Sequence, residues 1–196
     1  MLFAARCSPA AGSGQALRQD KEPVIAMKEY VKMTVSGVVM DPRSNLPVVL
    51  LKDGAGTHLV PIWIGVMEAS AIAASLEGVE LPRPMTHDLF RNVLDLLGAS
   101  LLRVDVTRME EATFYAVMTI SQGGRLLEVD ARPSDALALA VRVGCEIGVA
   151  QEVIDGAGIT IEDTGAVDVS GVSSDPEKLK EILASLPSEV FGKWKM

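Results

Sequence analysis

Apolar residues follow two periods along this chain. A period of two is typical of β-strands and a period near 3.6 is typical of α-helices. Alternating or β-branched stretches predict seven strands, at residues 31–40, 48–52, 58–64, 100–108, 113–121, 125–131 and 146–150. The turn-forming sequences DGAG (53–56) and SQGG (121–124) each join two of these strands into a hairpin.

Helical periodicity predicts four helices. They span 65–76, about 87–97, Ser134 to about Val143, and a last stretch after Asp175-Pro176. Thr86 and Ser134 are expected to cap the second and third helices, because their hydroxyls accept hydrogen bonds from free backbone N–H groups. The apolar face of the second helix consists of Leu89, Phe90, Val93, Leu94, Leu96 and Leu97.

Helices that alternate with hairpins are typical of the α+β class. We therefore predict an α+β fold, with a hairpin-rich mixed or antiparallel sheet and packed helices. Three regions are expected. They are a disordered N-terminal tail (1–26), a folded domain (27–155), and a C-terminal extension (156–196) with one short amphipathic helix.

The chain resembles itself after a shift of 67 residues. LVPIWIGVMEASAIA (59–73) aligns with LLEVDARPSDALALA (126–140), and Glu68 then coincides with Asp135. Both segments follow a glycine-containing turn and run from a strand into a helix. We interpret this as a duplicated hairpin–helix unit, the alternative being a coincidence between two Ala-rich helices. Each helix is apolar nearly all round, so we expect it to be buried on more than one side, inside the domain or at a subunit interface.

Charge and composition narrow the functional classes. The formal net charge is −8, so the chain has no surplus of Lys and Arg with which to hold nucleic acid mainly by neutralising phosphates. A metal-dependent nuclease remains compatible with this charge, because the cation supplies the positive charge. Cys7 and Cys145 form no zinc or redox motif, and no apolar run is long enough for a membrane helix. These features predict a cytoplasmic protein that does not bind membranes.

Three carboxylates lie close together in the sequence around the start of the third helix. Glu128 and Asp130 alternate on one strand and therefore point to the same face, and Asp135 follows one short turn later. Such a group could hold Mg²⁺ or Mn²⁺, which prefer oxygen ligands. Alternatively, Glu128 and Asp130 are exposed strand residues and Asp135 only stabilises the helix N-terminus.

The sequences RPMTHDLF (83–90) and RPSDALAL (132–139) each place Arg-Pro before a helix. Proline holds the preceding residue extended, so Arg83 and Arg132 are positioned either to bind phosphate or to form salt bridges with nearby acids. His87 is the better of two histidines for acid–base chemistry, with a buried structural histidine as the alternative. The side chains of His87 and Asp88 should diverge on the helix, which argues against a simple His–Asp dyad.

Four segments in this order resemble the bifunctional nuclease domain family, and the resemblance covers roughly residues 30–155. The segments are PIWIGVMEASAIAASLEG, RPMTHDLF, TFYAVMTI and EVDARPSDALALAVR. The chain departs from the family pattern at Ala112 and Glu146, where a glycine and a proline are expected; both lie in turns or at strand starts, so they affect local backbone shape more than chemistry.

The resemblance implies a bacterial, oligomeric nuclease that degrades RNA and DNA. The family has no well-established catalytic residues, so our candidates are the chemically suited residues in and around its two signature motifs. The catalytic candidates are His87, Asp88, Asp130 and Asp135. The substrate-binding candidates are Arg83, Arg132 and Ser134. The candidate ligands of a divalent cation, Mg²⁺ or Mn²⁺, are Glu68, Glu128, Asp130 and Asp135. The competing interpretation is a non-catalytic oligomeric module with a binding or regulatory role.

Overall fold

The computed structural model describes residues 29–160, which contain eight strands and four helices. In chain order these are β1 (Tyr30–Met40), β2 (Pro47–Asp53), β3 (His58–Trp63), α1 (Val66–Leu76), α2 (Thr86–Leu96), β4 (Ala99–Glu110), β5 (Thr113–Gln122), β6 (Arg125–Ala131), α3 (Pro133–Val143), β7 (Glu146–Ala150), α4 (Gln151–Ala157) and β8 (Ile159–Thr160). The N-terminal tail and the helix predicted after Asp175 lie outside the described residues.

All eight strands belong to one sheet, in the order β6-β5-β4-β7-β1-β2-β3-β8. Neighbouring strands are antiparallel except β4 and β7, which run parallel. The sheet is therefore mixed, and the α+β prediction is confirmed. All seven predicted strands are present, whereas α4 and β8 are too short to have produced a period in the sequence. No helix within 29–160 is long and apolar enough to cross a membrane.

The internal repeat appears as two matching units. A three-stranded meander, β1–β2–β3, leads into α1, and a second meander, β4–β5–β6, leads into α3. The helices α1 (Val66–Leu76) and α3 (Pro133–Val143) have the same length and begin 67 residues apart, as the sequence shift predicts. They pack against each other on one face of the sheet. The first turns of the two helices, which carry Glu68 and Asp135, are therefore equivalent positions of the repeat.

Small side chains allow α3 to lie close to the sheet. The stretch from Ala136 to Ala140 is buried throughout, and it packs with Val104, Val106 and Met118 in the main core. Alanine favours a helix and offers little bulk, so backbone and sheet approach closely. Because α3 is enclosed on several sides, as expected for a helix of this composition, its few polar residues must find partners or reach the surface.

Arg142 has hydrogen-bond acceptors on three helices, including its own. Its side chain, only 5% exposed, donates Nε–H to Asp88 Oδ1 in α2 at 2.6 Å. It also donates to the carbonyl oxygens of Ala138 in α3 at 2.9 Å and of Ala71 in α1 at 3.0 Å. One buried cation thus joins three helices. We call this arrangement, Arg142 with Asp88 and the two carbonyl groups, the Arg142 anchor.

Replacing Arg142 with Met should lower the free energy of unfolding by about 3 kcal/mol, because a buried ion pair that loses one partner leaves the other charge uncompensated. Met keeps much of the side-chain length while removing every donor. Chemical denaturation of both proteins measures the difference. The matched control is Arg91→Met on the exposed part of α2, which should change stability by less than about 0.5 kcal/mol. Equal losses in the two variants would contradict a special role for the anchor.

The turn between β2 and β3 depends on one buried carboxylate. Asp53 accepts hydrogen bonds from the Thr57 backbone N–H at 2.8 Å and the Thr57 hydroxyl at 2.6 Å, and its Oδ2 lies 2.8 Å from Nδ1 of His58. Burial acts to raise the pKa of Asp53, but the hydrogen bonds from Thr57 and His58 outweigh it and lower the pKa to about 2. The side chain of His58 is therefore half-buried and paired with Asp53.

Asp53 should make folding sensitive to acid. Its folded pKa lies below that of the unfolded chain, so its contribution is complete above pH 5 and is lost as pH falls towards 2. This difference is worth about 2 kcal/mol. Between pH 6 and pH 2, Asp53→Asn should therefore lose about 2 kcal/mol less stability than the wild-type protein, as measured by denaturation at each pH. The control is Asp95→Asn, which should follow the wild-type curve, because the Asp95 side chain makes no hydrogen bond to any described residue. Parallel curves for all three proteins would refute the assignment.

Candidate functional site

The start of α3 carries three of the predicted site residues at its N-cap and in its first turn: Arg132, Ser134 and Asp135. Arg132 is the N-cap, with φ −66° and ψ 140°, the extended conformation expected before proline. Pro133 is the first helical residue, so Ser134 is the second and Asp135 the third. The prediction that Ser134 caps this helix is wrong. Ser134 is instead the second helical residue, and it is buried at 8% exposure.

The start of α2 is built in a similar way. Met85 is the N-cap and Thr86 is the first helical residue, so the prediction that Thr86 caps the helix is also wrong. Asp88, the third residue, accepts a hydrogen bond from the Met85 N–H at 3.0 Å. A carboxylate in the first turn satisfies a free N–H group and interacts favourably with the helix dipole.

Three helix N-termini meet at one cluster of side chains. His87 Nε2 lies 3.3 Å from Asp135 Oδ1. Arg132 holds the same carboxylate through Nε at 2.7 Å and Nη2 at 3.1 Å, and its Nη1 lies 3.0 Å from Glu68 Oε1. We call Glu68, His87, Arg132 and Asp135 the Arg132 cluster. The two signature segments of the sequence therefore converge in space.

Exposure within the Arg132 cluster is graded. The side chains of His87 and Glu68 are 14% and 18% exposed, that of Asp135 is 34% exposed, and that of Arg132 is 66% exposed. The guanidinium therefore forms the outer surface and the carboxylates lie behind it. A ligand approaching from solvent would meet the cation first.

Asp135 is ionised at neutral pH. Burial acts to raise its pKa, but hydrogen bonds from Arg132 and His87, together with their charges, outweigh burial and hold the pKa below its usual value. An ionised carboxylate can only accept hydrogen bonds. His87 must therefore donate from Nε2, and when the ring is neutral its Nδ1 carries the free lone pair. In functional sites of other proteins, a carboxylate fixes the tautomer and orientation of a histidine in the same way.

Two predicted site residues do not join the cluster. Along β6, Leu127, Val129 and Ala131 pack on the helix-side core, whereas Glu128 and Asp130 are exposed on the opposite face of the sheet. Asp105 of β4 lies on the same face as Glu128. Burial raises the pKa of Asp105 despite its hydrogen bond from Arg103, and the negative charge of Glu128 raises this pKa further.

The four predicted metal ligands therefore do not surround one point, since Glu68 and Asp135 lie on the helix side and Glu128 and Asp130 on the other. Between residues 29 and 160, no three His, Cys, Asp or Glu side chains are arranged to hold a metal ion.

Asp88 and Arg83 also lie outside the Arg132 cluster. Asp88 is turned away from His87, as the helical spacing predicts, and belongs to the Arg142 anchor. Arg83 is exposed and forms no ion pair with any described residue. Sequence reasoning missed Arg142 as a partner. A single cation in an otherwise apolar helix end, VRV at 141–143, is the signal that indicates a carboxylate nearby.

Comparison with known proteins identifies the family. The bifunctional nuclease domain profile matches residues 49–162. The chain is 40% identical over 162 residues to an uncharacterised protein of Mycobacterium tuberculosis, a match that covers 82% of this chain and 97% of that protein. It is also 28% identical over 134 residues to bifunctional nuclease 1 of Arabidopsis thaliana, covering 66% of this chain and 41% of the plant protein. For bifunctional nuclease 1 of Oryza sativa subsp. indica the identity is 24% over 138 residues, covering 69% of this chain and 41% of the rice protein.

The matched domain contains every member of the Arg132 cluster and of the Arg142 anchor. The plant relatives are much longer than the region they share with this chain, so the likeness to them concerns this domain alone. Because the profile spans more than half of the sequence and the mycobacterial relative aligns over most of it, this chain belongs to the bifunctional nuclease domain family.

Proposed function

We propose that this protein hydrolyses phosphodiester bonds in RNA and DNA, and that the Arg132 cluster is the reaction centre. The observation that carries this proposal is the convergence of His87 and Arg132, from separate signature segments, on the single carboxylate of Asp135. Membership of the family and the names of the plant relatives support nuclease chemistry. Histidine is a common acid–base residue and arginine a common phosphate-binding residue, and one of each contacts Asp135 in this cluster.

His87 would act as the general base. The ionised Asp135 orients the ring by accepting the Nε2–H, so Nδ1 is left to take a proton from an attacking water. As the proton moves to the ring, the imidazolium that forms is stabilised by Asp135.

Arg132 would bind the phosphate. Its Nε and one N–H on Nη2 are turned to Asp135 and Nη1 faces Glu68, but each Nη carries a second N–H group. A guanidinium matches the geometry of two phosphate oxygens and can stabilise charge that develops on them. The two carboxylates hold the guanidinium in place before substrate arrives, which reduces the entropy lost on binding.

The role of a divalent cation is a separate question. The predicted four-carboxylate site does not fit the structure, because Glu128 and Asp130 lie across the sheet from Glu68 and Asp135. The two carboxylates on the helix side already face Arg132. We therefore assign no step of the reaction to a metal ion. Dependence of the activity on Mg²⁺ or Mn²⁺ stays a prediction, and the assay of the variants below tests it.

A specific observation also favours the non-catalytic alternative. Every charged member of the Arg132 cluster has a partner within the cluster, and with a neutral His87 the cluster carries a formal charge of −1. A purely structural role, joining α1, α2 and α3, is sufficient to explain such a network. The net charge of −8 also does not attract polyanions. In that case the protein is a binding or regulatory module.

Asp135→Asn and His87→Gln should each lower cleavage of labelled single-stranded RNA and DNA at least about a hundredfold, because each removes the oriented base. The control is Asp130→Asn, which makes the same change at an aspartate on the opposite face of the sheet and should keep wild-type activity. Melting temperatures of all proteins separate loss of chemistry from loss of folding. Protein purified by two unrelated routes is assayed with Mg²⁺, with Mn²⁺ and with EDTA.

Three results would distinguish the interpretations. Activity lost in Asp135→Asn and His87→Gln, but kept in Asp130→Asn, would support the Arg132 cluster as the reaction centre. Activity lost with EDTA and restored by the cation would add a metal requirement. Equal cleavage by all variants would indicate a contaminant and leave the binding module as the better account. Loss of activity only in Asp130→Asn would indicate that the reaction centre lies on the opposite face of the sheet.

A further inference from the structure

The two meanders differ in how apolar residues follow one another along their strands. β6 reads RLLEVDA, and its acids alternate with apolar residues, as in a strand with one face open to solvent. β2 and β3 read PVVLLKD and HLVPIW, and both are almost continuously apolar. Such a run is typical of a strand that is buried on both faces. The sequences of β2 and β3 therefore indicate cover on the far face of the sheet, the face opposite α1, α2 and α3.

Apolar side chains on the far face of the first meander form one continuous patch. The main core takes alternate residues of β2 and β3, such as Val49 and Val60, so the residues between them point to the far face. The strand register makes these residues neighbours, since Val48 pairs with Val39, Leu50 with Pro61 and Leu59 with Ile159. We call these six residues the far-face patch.

The far-face patch is buried, although the described helices pack elsewhere. Val48, Leu50 and Leu59 are at most 1% exposed, and none of them belongs to the main core. Each of the four helices instead contributes to that core, through residues such as Ile72, Leu94, Leu137 and Val153.

Low exposure is not general for the apolar residues of this chain. On the same far face, Leu126 of β6 is 59% exposed. On α2, five of the six residues of the predicted apolar face are at least 40% exposed, and only Leu94 is buried. A position on the far face or on the protein surface therefore does not by itself bury an apolar side chain. The far-face patch needs cover, and no helix within residues 29–160 supplies it.

We propose that the segment after Asp175-Pro176 packs as a helix across the far-face patch. Residues 176–186 carry an apolar stripe at helical spacing, consisting of Leu179, Ile182, Leu183 and Leu186. A helix of this length measures about 16 Å. It is long enough to cross β1, β2 and β3, since neighbouring strands lie about 4.8 Å apart. Residues 1–26, by contrast, show no helical period.

The chain leaves the described residues beside the patch. Thr160 ends β8, which pairs with the start of β3, and the preceding residue, Ile159, belongs to the patch. Residues 161–175 then connect Thr160 with the segment that carries the stripe. A connection of this length can extend about 50 Å, so it can reach every point of the patch. The inference concerns packing within one chain and does not depend on nuclease activity.

Leu183→Glu in the full 196-residue chain tests this packing. It places a charge in the middle of the stripe and should lower the melting temperature by about 5–15 °C, as expected when a large apolar contact is lost. Trp63 reports where the contact lies, because it pairs with Val48 and is half-buried on the same face. In a Trp194→Phe background Trp63 is the only tryptophan. Leu183→Glu should then shift the Trp63 emission to longer wavelength and increase its quenching by acrylamide.

The matched control is Ala184→Glu, which adds the same charge on the opposite side of the same helix and should leave both measurements at their wild-type values. The proposal is supported if only Leu183→Glu lowers the melting temperature and exposes Trp63. It is overturned if Leu183→Glu changes neither property, if it destabilises the protein without changing the Trp63 signal, or if the two variants behave alike. A Trp63 emission that depends on protein concentration would assign the patch to a second copy of the chain and would also overturn the proposal.

Discussion

A guanidinium that is almost entirely buried has to be surrounded by acceptors, and for Arg142 these acceptors come from three different helices. The carbonyl of Ala71, the carbonyl of Ala138 and the carboxylate of Asp88 each receive one hydrogen bond. Since Asp88 is next to His87 in the chain, the contact that fixes Asp88 also fixes the helix end that presents His87 to Asp135. The same contact turns the apolar side of α2 outward. The candidate reaction centre therefore depends on this ion pair.

Each of the three helices that meet at the site carries a carboxylate at its third residue, namely Glu68, Asp88 and Asp135. At this position an acid is favourable in any protein, because it lies among free N–H groups at the positive end of the helix dipole. What differs here is that each carboxylate also holds an arginine. The acids that complete the helices are thus the acids that orient Arg132 and Arg142. Helix stability alone would account for their presence, so only a loss of activity without a loss of folding can assign them to catalysis.

The strands, the three long helices and the repeat could all be predicted from periodicity, because alternation and helical spacing are local properties of the sequence. Locally, the pairing of Glu128 with Asp130 was also correct, since both lie on one face of β6. The error was to place Asp135 beside them. Leu127 and Val129 show which face of β6 is buried, and α3 packs on that face, so the acids that alternate with them are on the other. The partners of Arg132 were expected among the nearby acids. Which carboxylate pairs with Arg142 depends on how α2 packs against the other helices. No local sequence pattern contains that information.

The acidity of the chain imposes a condition on the proposed function. With a net charge of −8, the long-range field of the protein repels a polyanion instead of attracting it. Any affinity for a nucleic acid must then come from contacts within a few ångströms, where Arg132 is the exposed cation of the cluster. Such binding favours a short or single-stranded segment that can approach one guanidinium, since a long duplex would bring many more phosphates into the repelling field. The proposed function therefore has one physical requirement: at close range, the attraction between Arg132 and a phosphate must outweigh the repulsion that the rest of the molecule exerts at a distance.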